Sequence, residues 1–444
     1  MYLLYSILMV SWGIVLMPVF LYRAWRHHKS LPGLCQRLGR LPENLRSRGT
    51  PTIWFHCCSV GETLSVQPLT HLFHARFPQA RFVFSTVTNT GQSIAKQRFS
   101  VYGEANTFFF PIDLAWVAKR VLDCIQPAMI VIIDTEIWPN VVHQAWKRHI
   151  PVVLVNGRIS AASFRYYRWA CPVLRRVFQN YRILLMKSDE DARRILEMGA
   201  PPDRVLVTGN LKYDLDLVKR DVTAAAAESL DAALGPAAID APLIIAGSTH
   251  PGEEDILLEV LGRIQNVPGL EHTRLLLAPR HPERFDEVAG LVERAGYAVQ
   301  RRTQKKAEVR APVLLLDTIG ELAAAYRFAT IAFVGGTLVR RGGHSILEPA
   351  LYAKPIVIGP STENFSQVVE EFLQQGAVRQ ISATEENRSA QVRELSDAFK
   401  GLLLDRAACA TLGRAACSVL ENNSGATHRT IERIAAIYEE TLNR

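Results

Sequence analysis

Residues 331–360 read IAFVGGTLVRRGGHSILEPALYAKPIVIGP, and this stretch decides the fold. Ile331 to Val334 and Pro355 to Ile358 are short apolar runs of strand type. Between them lie a glycine-rich loop and a helix expected to open near Ser345, so the order is that of a βαβ unit. Gly335, Gly336, Gly342 and Gly343 let a backbone come close to a ligand and take positive φ. A helix start leaves four N–H groups without partners at the positive end of the dipole, which suits a phosphate. Pro349 has no N–H to donate and fits best in the first helical turn, making Ser345 the expected N-cap. A capping box, with Glu348 closing on the Ser345 backbone, is the alternative use of the same residues. Two glycine pairs, His344 and Glu348 beside one helix start favour a nucleotide-phosphate site with Glu348 on a ribose diol.

The same alternation extends in both directions. Upstream, apolar strands are expected at Thr52 to His56, Arg81 to Val87, Met129 to Asp134, Val152 to Asn156, Ile183 to Lys187 and Val205 to Thr208. Helical stretches separate them, including a long basic and aromatic one from Phe164 to Tyr181. An alanine-rich segment with Gly235, Pro236 and Pro242 then reads as a linker over 221–242. A second round follows, with strands at Leu243 to Ala246, Arg274 to Ala278 and Val313 to Leu316 before the opening stretch. The pattern predicts two Rossmann-like halves around a cleft, the GT-B plan, with ligands beyond the carboxyl ends of the strands.

The 444 residues are 48% apolar, enough for two ordinary cores, and carry a net charge of +8. Much of that excess lies between Arg23 and Arg48, where seven Lys or Arg residues meet one acid, Glu43. The segment directly follows Tyr2 to Tyr22, an uncharged apolar run long enough to cross a bilayer. Positive charge after the span predicts that the remainder stays on the cytoplasmic face, and it favours a membrane over nucleic acid as the basic patch's partner. A helix lying in the membrane interface, or buried in the protein, is the alternative. The seven cysteines form no CxxC pair and no His or Cys spacing suggests a metal site, so no metal and no cofactor are expected.

The strand-end rule selects Glu62, Asp134, Glu136, Asn156, Arg158, Asn210 and Lys212 in the first half, and Ser248, His250, Arg280, His281 and the Asp317 to Glu321 turn in the second. No GxxxxGK[ST] occurs, and no GxGxxG follows a strand, which disfavours P-loop phosphotransferases and dinucleotide oxidoreductases. A nucleotide on the second half and an acid on the first suit an inverting glycosyl transfer, in which a carboxylate takes the acceptor's proton while cations stabilise the departing phosphate.

At this point the chain resembles the bacterial 3-deoxy-D-manno-octulosonic acid (Kdo) transferases specific for lipid A. The matching stretches are Gly39-Arg-Leu-Pro42, Ser59-Val-Gly-Glu62, Thr88-Asn-Thr-Gly91, Asp134-Thr-Glu-Ile-Trp-Pro-Asn140, Asn156-Gly-Arg-Ile-Ser160 and Gly209-Asn-Leu-Lys-Tyr-Asp214. In the second half they are Ala246-Gly-Ser-Thr-His250, Ala278-Pro-Arg-His281, Asp317-Thr-Ile-Gly-Glu-Leu322 and Gly342-Gly-His-Ser-Ile-Leu-Glu-Pro349. Each is weak alone, and together they run through nearly the whole chain in the family's order.

The resemblance implies transfer of Kdo from CMP-Kdo to a lipid A precursor at the inner membrane, on its cytoplasmic face. It implies Glu62 as general base, although an acid favoured by its helix dipole is the rival reading of that residue. Asp134 and Lys212 would support the transition state. Pro279, Arg280, Ile319, Gly320, Glu321, Ser345, Ile346, Leu347 and Glu348 would hold CMP-Kdo. The implied division is an anchor at 1–22, a basic juxtamembrane segment at 23–50, an acceptor domain at 51–220, the linker at 221–242 and a donor domain with C-terminal helices at 243–444. The chain departs from the family in carrying Asp134 for a usual Glu, Ser345 for a usual Asn, and Cys57 with Cys58 for smaller residues. The basic helix from Phe164 and the Arg23 to Arg48 segment could receive the acceptor's phosphates, or could simply be solvated faces. Rival functions are a membrane GT-B enzyme using a UDP-sugar, and a non-catalytic lipid A-binding protein of the same fold. His250, His281 and His344 receive no role.

Overall fold

The computed structural model describes residues 1–11, 33–47, 49–103, 105–167, 170–214, 230, 241–304 and 311–443. The chain packs into two compact units, Met1–Val218 with Ser424–Arg444, and Lys219–Asn423. The C-terminal helices expected to close the second domain (243–444) are therefore shared. Helix Ala426–Leu442 packs on helix Gln67–Arg76 of the first unit, with Tyr438 against Phe73 and Phe77 at ring distances of 5.7 and 5.0 Å. Most of the linker expected at 221–242 lies outside the described residues.

The first unit holds a parallel sheet of β1 (Thr52–His56), β2 (Arg81–Thr86), β3 (Thr107–Phe109), β4 (Pro127–Ile133), β5 (Val152–Gly157), β6 (Ile183–Met186) and β7 (Val205–Val207), in the order 3-2-1-4-5-6-7. The second holds β8 (Leu243–Thr249), β9 (Arg274–Pro279), β10 (Val299–Arg301), β11 (Val313–Leu315), β12 (Ile331–Val334), β13 (Ile356–Ile358) and β14 (Arg379–Gln380), in the order 10-11-9-8-12-13-14. Strands buried on both faces read as continuous apolar runs, which is why β1, β4 and β5 are legible in the sequence. Alternate residues feed opposite cores: Ile130 and Ile132 join Trp54 and Leu154, whereas Met129, Val131 and Ile133 join Phe55 and Val153. In the second sheet Leu275 and Leu277 face one core and Leu276 and Ala278 the other.

Three strands went unexpected, β3, β10 and β14, and all are at sheet edges. They span three, three and two residues, too short to show a period. The long helix expected from Phe164 to Tyr181 is instead two, Ala161–Tyr167 and Cys171–Phe178, because Pro172 starts a new helix and cannot continue the old one.

Residues 2–11 are helical and dock on the first unit through polar groups. Tyr2 stacks on His143 with centroids 3.7 Å apart and its hydroxyl accepts from Asn180 Nδ2 at 2.7 Å. Ser6 Oγ accepts from Asn140 Nδ2 at 3.1 Å, and Tyr5 bonds to the buried Asp113. Leu3, Leu4, Ile7 and Leu8 point outward. Among the described residues no helix is long and apolar enough to cross a membrane. Residues 12–22 of the expected anchor lie outside the described residues, as do 23–32 of the basic segment. The described part of that segment is structural: Arg37 donates to the Val87 carbonyl at 2.6 Å and covers the Phe109 ring at 4.7 Å.

Asp214 fixes the returning helix, accepting from Gly425 N at 2.6 Å and Thr427 N at 2.5 Å. Asp214→Ala removes this cap and should lower stability by about 1–2 kcal/mol, read as a lower midpoint in urea with an unchanged slope.

Candidate functional site

Each sheet reverses its strand order at one point, between β1 and β4 in the first unit and between β8 and β12 in the second. Loops leaving neighbouring strands diverge there, opening a crevice at the carboxyl ends. The residues selected from the sequence lie at or beyond the carboxyl ends of strands in the two sheets.

In the first unit, Ser59 caps helix Val60–Ser65 after β1. Glu62 turns back on the same corner, its Oε1 accepting from Ser59 Oγ at 2.8 Å and its Oε2 from Cys58 N at 2.5 Å. The acid thus closes on the residue before the N-cap, and burial dominates its titration. Burial first, and then the negative charge of Asp134, push its pKa up to about 7, against the Ser59 and Cys58 hydrogen bonds. Asp134 directly follows β4 in the left-handed region at φ 57, a conformation that residues other than glycine adopt rarely. Its Oδ1 accepts from Asn156 Nδ2 at 2.5 Å, and Asn156, itself at φ 59, accepts from Leu211 N at 3.1 Å. This chain of bonds joins the ends of β4 and β5 to the turn that carries Lys212. Burial raises the Asp134 pKa, opposed by Lys187, Asn156, Lys212 and Arg158.

The structure therefore brings Asp134 within electrostatic reach of both Glu62 and Lys212. Two further residues join them: Glu136, which the strand-end rule selects, and Lys187, which it does not. Glu136 bonds to Cys58 and contributes to the raised Glu62 pKa. Lys187, the residue directly after β6, is largely buried, and its pKa falls to about 8 because desolvation outweighs the attraction of Asp134. Its position after a strand was the available signal.

In the second unit the glycine loop differs from expectation. The N–H groups of Gly336, Thr337 and Leu338 do not stand open for a phosphate. They donate to the carboxylate of Glu253, at 2.8, 3.0 and 2.9 Å, and His250 N joins them at 2.9 Å. Glu253 is fully buried, and burial pushes its pKa up to about 7 despite these donors. Gly342 N and Gly343 N are likewise taken, by Ser361 Oγ and the Gly336 carbonyl. The helix expected from Ser345 is only Leu347–Leu351, with Ile346 at its N-cap, and Ser345 Oγ accepts from Leu347 N at 3.4 Å. So short a helix carries little dipole.

The remaining expected donor-site residues lie on the neighbouring loops of this unit. Pro279 ends β9, and Arg280 is exposed with its N–H on the Thr249 carbonyl at 3.0 Å. Ile319 is 80% exposed beside Gly320 at φ 90. Glu321 is held by Arg302 at 3.2 Å and by the Thr318 hydroxyl. Ile346 and Leu347 are buried, and the charge of Glu348 reaches the buried Tyr326. Among the described residues no group of three or more His, Cys, Asp or Glu is placed to hold a metal.

The family model described as 3-deoxy-D-manno-octulosonic-acid transferase (kdotransferase) matches residues 33–215. The 3-deoxy-D-manno-octulosonic acid transferase of Haemophilus influenzae is 32% identical, over 88% of this chain and 88% of that one. The crystallised C-terminal CMP-Kdo binding domain of WaaA from Acinetobacter baumannii is 31% identical, covering 44% of this chain and 95% of that domain at a TM-score of 0.38. UDP-GlcNAc 2-epimerase from Neisseria meningitidis covers 87% of this chain and 100% of its own at 13% identity and a TM-score of 0.55, a likeness of fold alone.

Glu253→Ala leaves four backbone N–H groups without their acceptor and should cost about 3 kcal/mol or more. Differential scanning calorimetry checks this: an unchanged melting profile would show that the carboxylate does not hold the loop.

Proposed function

Since the chain belongs to the 3-deoxy-D-manno-octulosonic acid transferase family, a family of glycosyltransferases, we propose that it transfers Kdo from CMP-Kdo to a lipid A precursor with inversion at the anomeric carbon. The observation that carries this reading is a carboxyl, Glu62, held by two hydrogen bonds beside a second carboxylate and raised to a pKa of about 7. A base poised near the working pH combines an adequate ionised fraction with good proton affinity.

In this reading the acceptor hydroxyl oxygen attacks the anomeric carbon while the bond from that carbon to the CMP phosphate oxygen breaks. The electron pair leaves with CMP, and the hydroxyl proton passes to Glu62. Asp134 keeps Glu62 basic through like charge, and the positive groups around Asp134, Lys187 and Lys212, lower the energy of the charge that develops. Arg280, Ile319 to Glu321 and Ser345 to Glu348 bind the donor on the second unit, with Arg280 supplying a charged fork for the phosphate or the Kdo carboxylate. The family resemblance supports this assignment.

We assign the N-terminal helix to the inner membrane, on the side that faces the lipid acceptor. Its outward Leu3, Leu4, Ile7 and Leu8, and the basic residues after Tyr22, suit an anionic bilayer surface. The full chain should float with phosphatidylglycerol-containing vesicles, and Leu4→Asp with Leu8→Asp should weaken that association. A wild-type chain that stays at the bottom of the gradient would remove the membrane assignment.

Glu62→Ala should lower Kdo transfer from CMP-Kdo to a tetraacylated lipid A precursor by about 10²–10⁴-fold. Only the ionised carboxylate accepts a proton, so the wild-type rate should rise with pH through about 7. Asp134→Asn removes a neighbouring negative charge and should move that limb to lower pH. A Glu62→Ala enzyme with wild-type activity would end the base assignment and leave the family untouched.

A further inference from the structure

The mechanism above leaves His250, His281 and His344 of the second unit unused. His250 follows β8 and is 7% exposed. Its ring lies parallel to that of His344, with an interplanar angle of 3° and centroids 5.1 Å apart. Their Nε2 atoms are 2.8 Å apart, and His281 meets His250 edge-on at 5.5 Å. The two rings rest on Gly336, where a Cβ would stand 3.1 Å from His344 Cδ2 and 3.4 Å from His250 Cδ2. The backbone beneath is the one that Glu253 holds through four N–H groups. The pair thus sits on a fixed platform at the point where the strand order reverses.

A 2.8 Å contact between two ring nitrogens needs one proton between them, since two lone pairs repel and two N–H groups collide. The neutral pair therefore holds two protons, one in the bridge and one on the acceptor ring's Nδ1. A third proton makes a monocation in which both Nδ1 atoms carry N–H. The charges around His250 come from His281, Arg341, Arg280 and Arg284, and those around His344 from His250, Arg280 and His281. Arg284 is already matched by Glu254 at 2.7 Å and Glu287 at 3.1 Å, and the nearby Glu253 is enclosed by its N–H donors.

We propose that the His250–His344 pair receives an oxyanion of the sugar nucleotide, its phosphate or the sugar carboxylate, and takes up a proton as that anion binds. The proposal rests on the reading of the second unit as the donor-binding half. Burial and the surrounding cations hold both imidazoles near a pKa of about 4, so the empty pair is neutral at physiological pH. An anion against it favours the protonated form, so binding and protonation strengthen each other. His250 and His344 are in this sense positioning residues for the donor.

The test is isothermal titration calorimetry at pH 6 in two buffers of different ionisation enthalpy, with CMP in one arm and free Kdo in the other. Wild type is compared with His250→Asn and His344→Asn, each checked for its melting temperature. The expected result is uptake of about one proton more in wild type than in either variant, with variant affinity about tenfold weaker, as linkage requires at pH 6 when a pKa near 4 rises to about 7 on binding. An effect confined to CMP identifies the phosphate as the bound anion, and one confined to Kdo the carboxylate. Variants that match wild type in affinity and proton uptake overturn the inference while the donor reading stands. A folded wild type that binds neither probe overturns the donor reading, and this inference with it. If the variants do not fold, histidine ¹⁵N spectra of wild type decide: ring-nitrogen shifts unmoved by saturating CMP or Kdo also overturn it.

Discussion

A fully buried carboxylate organises the second unit. Glu253 has no solvent around it, and only the four N–H groups it receives make its burial tolerable. In return it ties the corner after β8 to the loop after β12, two segments more than eighty positions apart in the chain. A phosphate in that cradle would have bound and left with each turnover. A covalently attached anion keeps the loop in one shape permanently, which is how His250 and His344 can be stacked before any ligand arrives. The glycines serve this arrangement directly. At Gly335 a Cβ would lie 2.4 Å from the Ser248 carbonyl oxygen, so only glycine permits the loop to pass so close to β8.

The first unit solves the opposite problem. There, Glu62, Asp134 and Glu136 crowd together, and burial raises the pKa of each. Lys187, Lys212 and Arg158 offset this at Asp134, while Glu62 accepts from the neutral donors Ser59 and Cys58. Two neighbouring carboxyls thus sit in different surroundings, one beside cations and the other beside neutral dipoles. The left-handed corners at Asp134 and Asn156 are the conformational cost of aiming these groups, and the hydrogen bond between the two side chains helps to hold them.

The N-terminal helix has one face committed to the protein and one face exposed. Tyr2, Tyr5 and Ser6 are committed to Asn180, Asp113 and Asn140, so their polar atoms are satisfied against the protein. Leu3, Leu4, Ile7 and Leu8 face outward. Asp113 also accepts from Asn140 N and Val141 N at the start of helix Pro139–Trp146, which directly follows the Asp134 to Trp138 loop. The docked helix and the acidic loop therefore share one buried anchor.

Reading the chain as two parallel-sheet α/β units with a polar constellation at the strand ends was possible because that information is local. Runs such as Met129 to Ile133 and Ile331 to Val334 are apolar throughout, since a central parallel strand is buried on both faces, and Glu62, Asp134 and Lys212 stand out by their place just after strands. The strands β3, β10 and β14 were not legible, because an edge strand of two or three residues has neither the length nor the double burial that leaves a signature. The return of Ser424–Arg444 to the first unit depends on Asp214 meeting Gly425 and Thr427 across the fold. Lys187 acquires meaning only where β6 sets it near Asp134, and Glu253 only where the glycine loop folds over it. Burial periodicity is written along the chain. Which charge meets which partner is decided by the loops that the sheet brings together, and only the tertiary structure contains that.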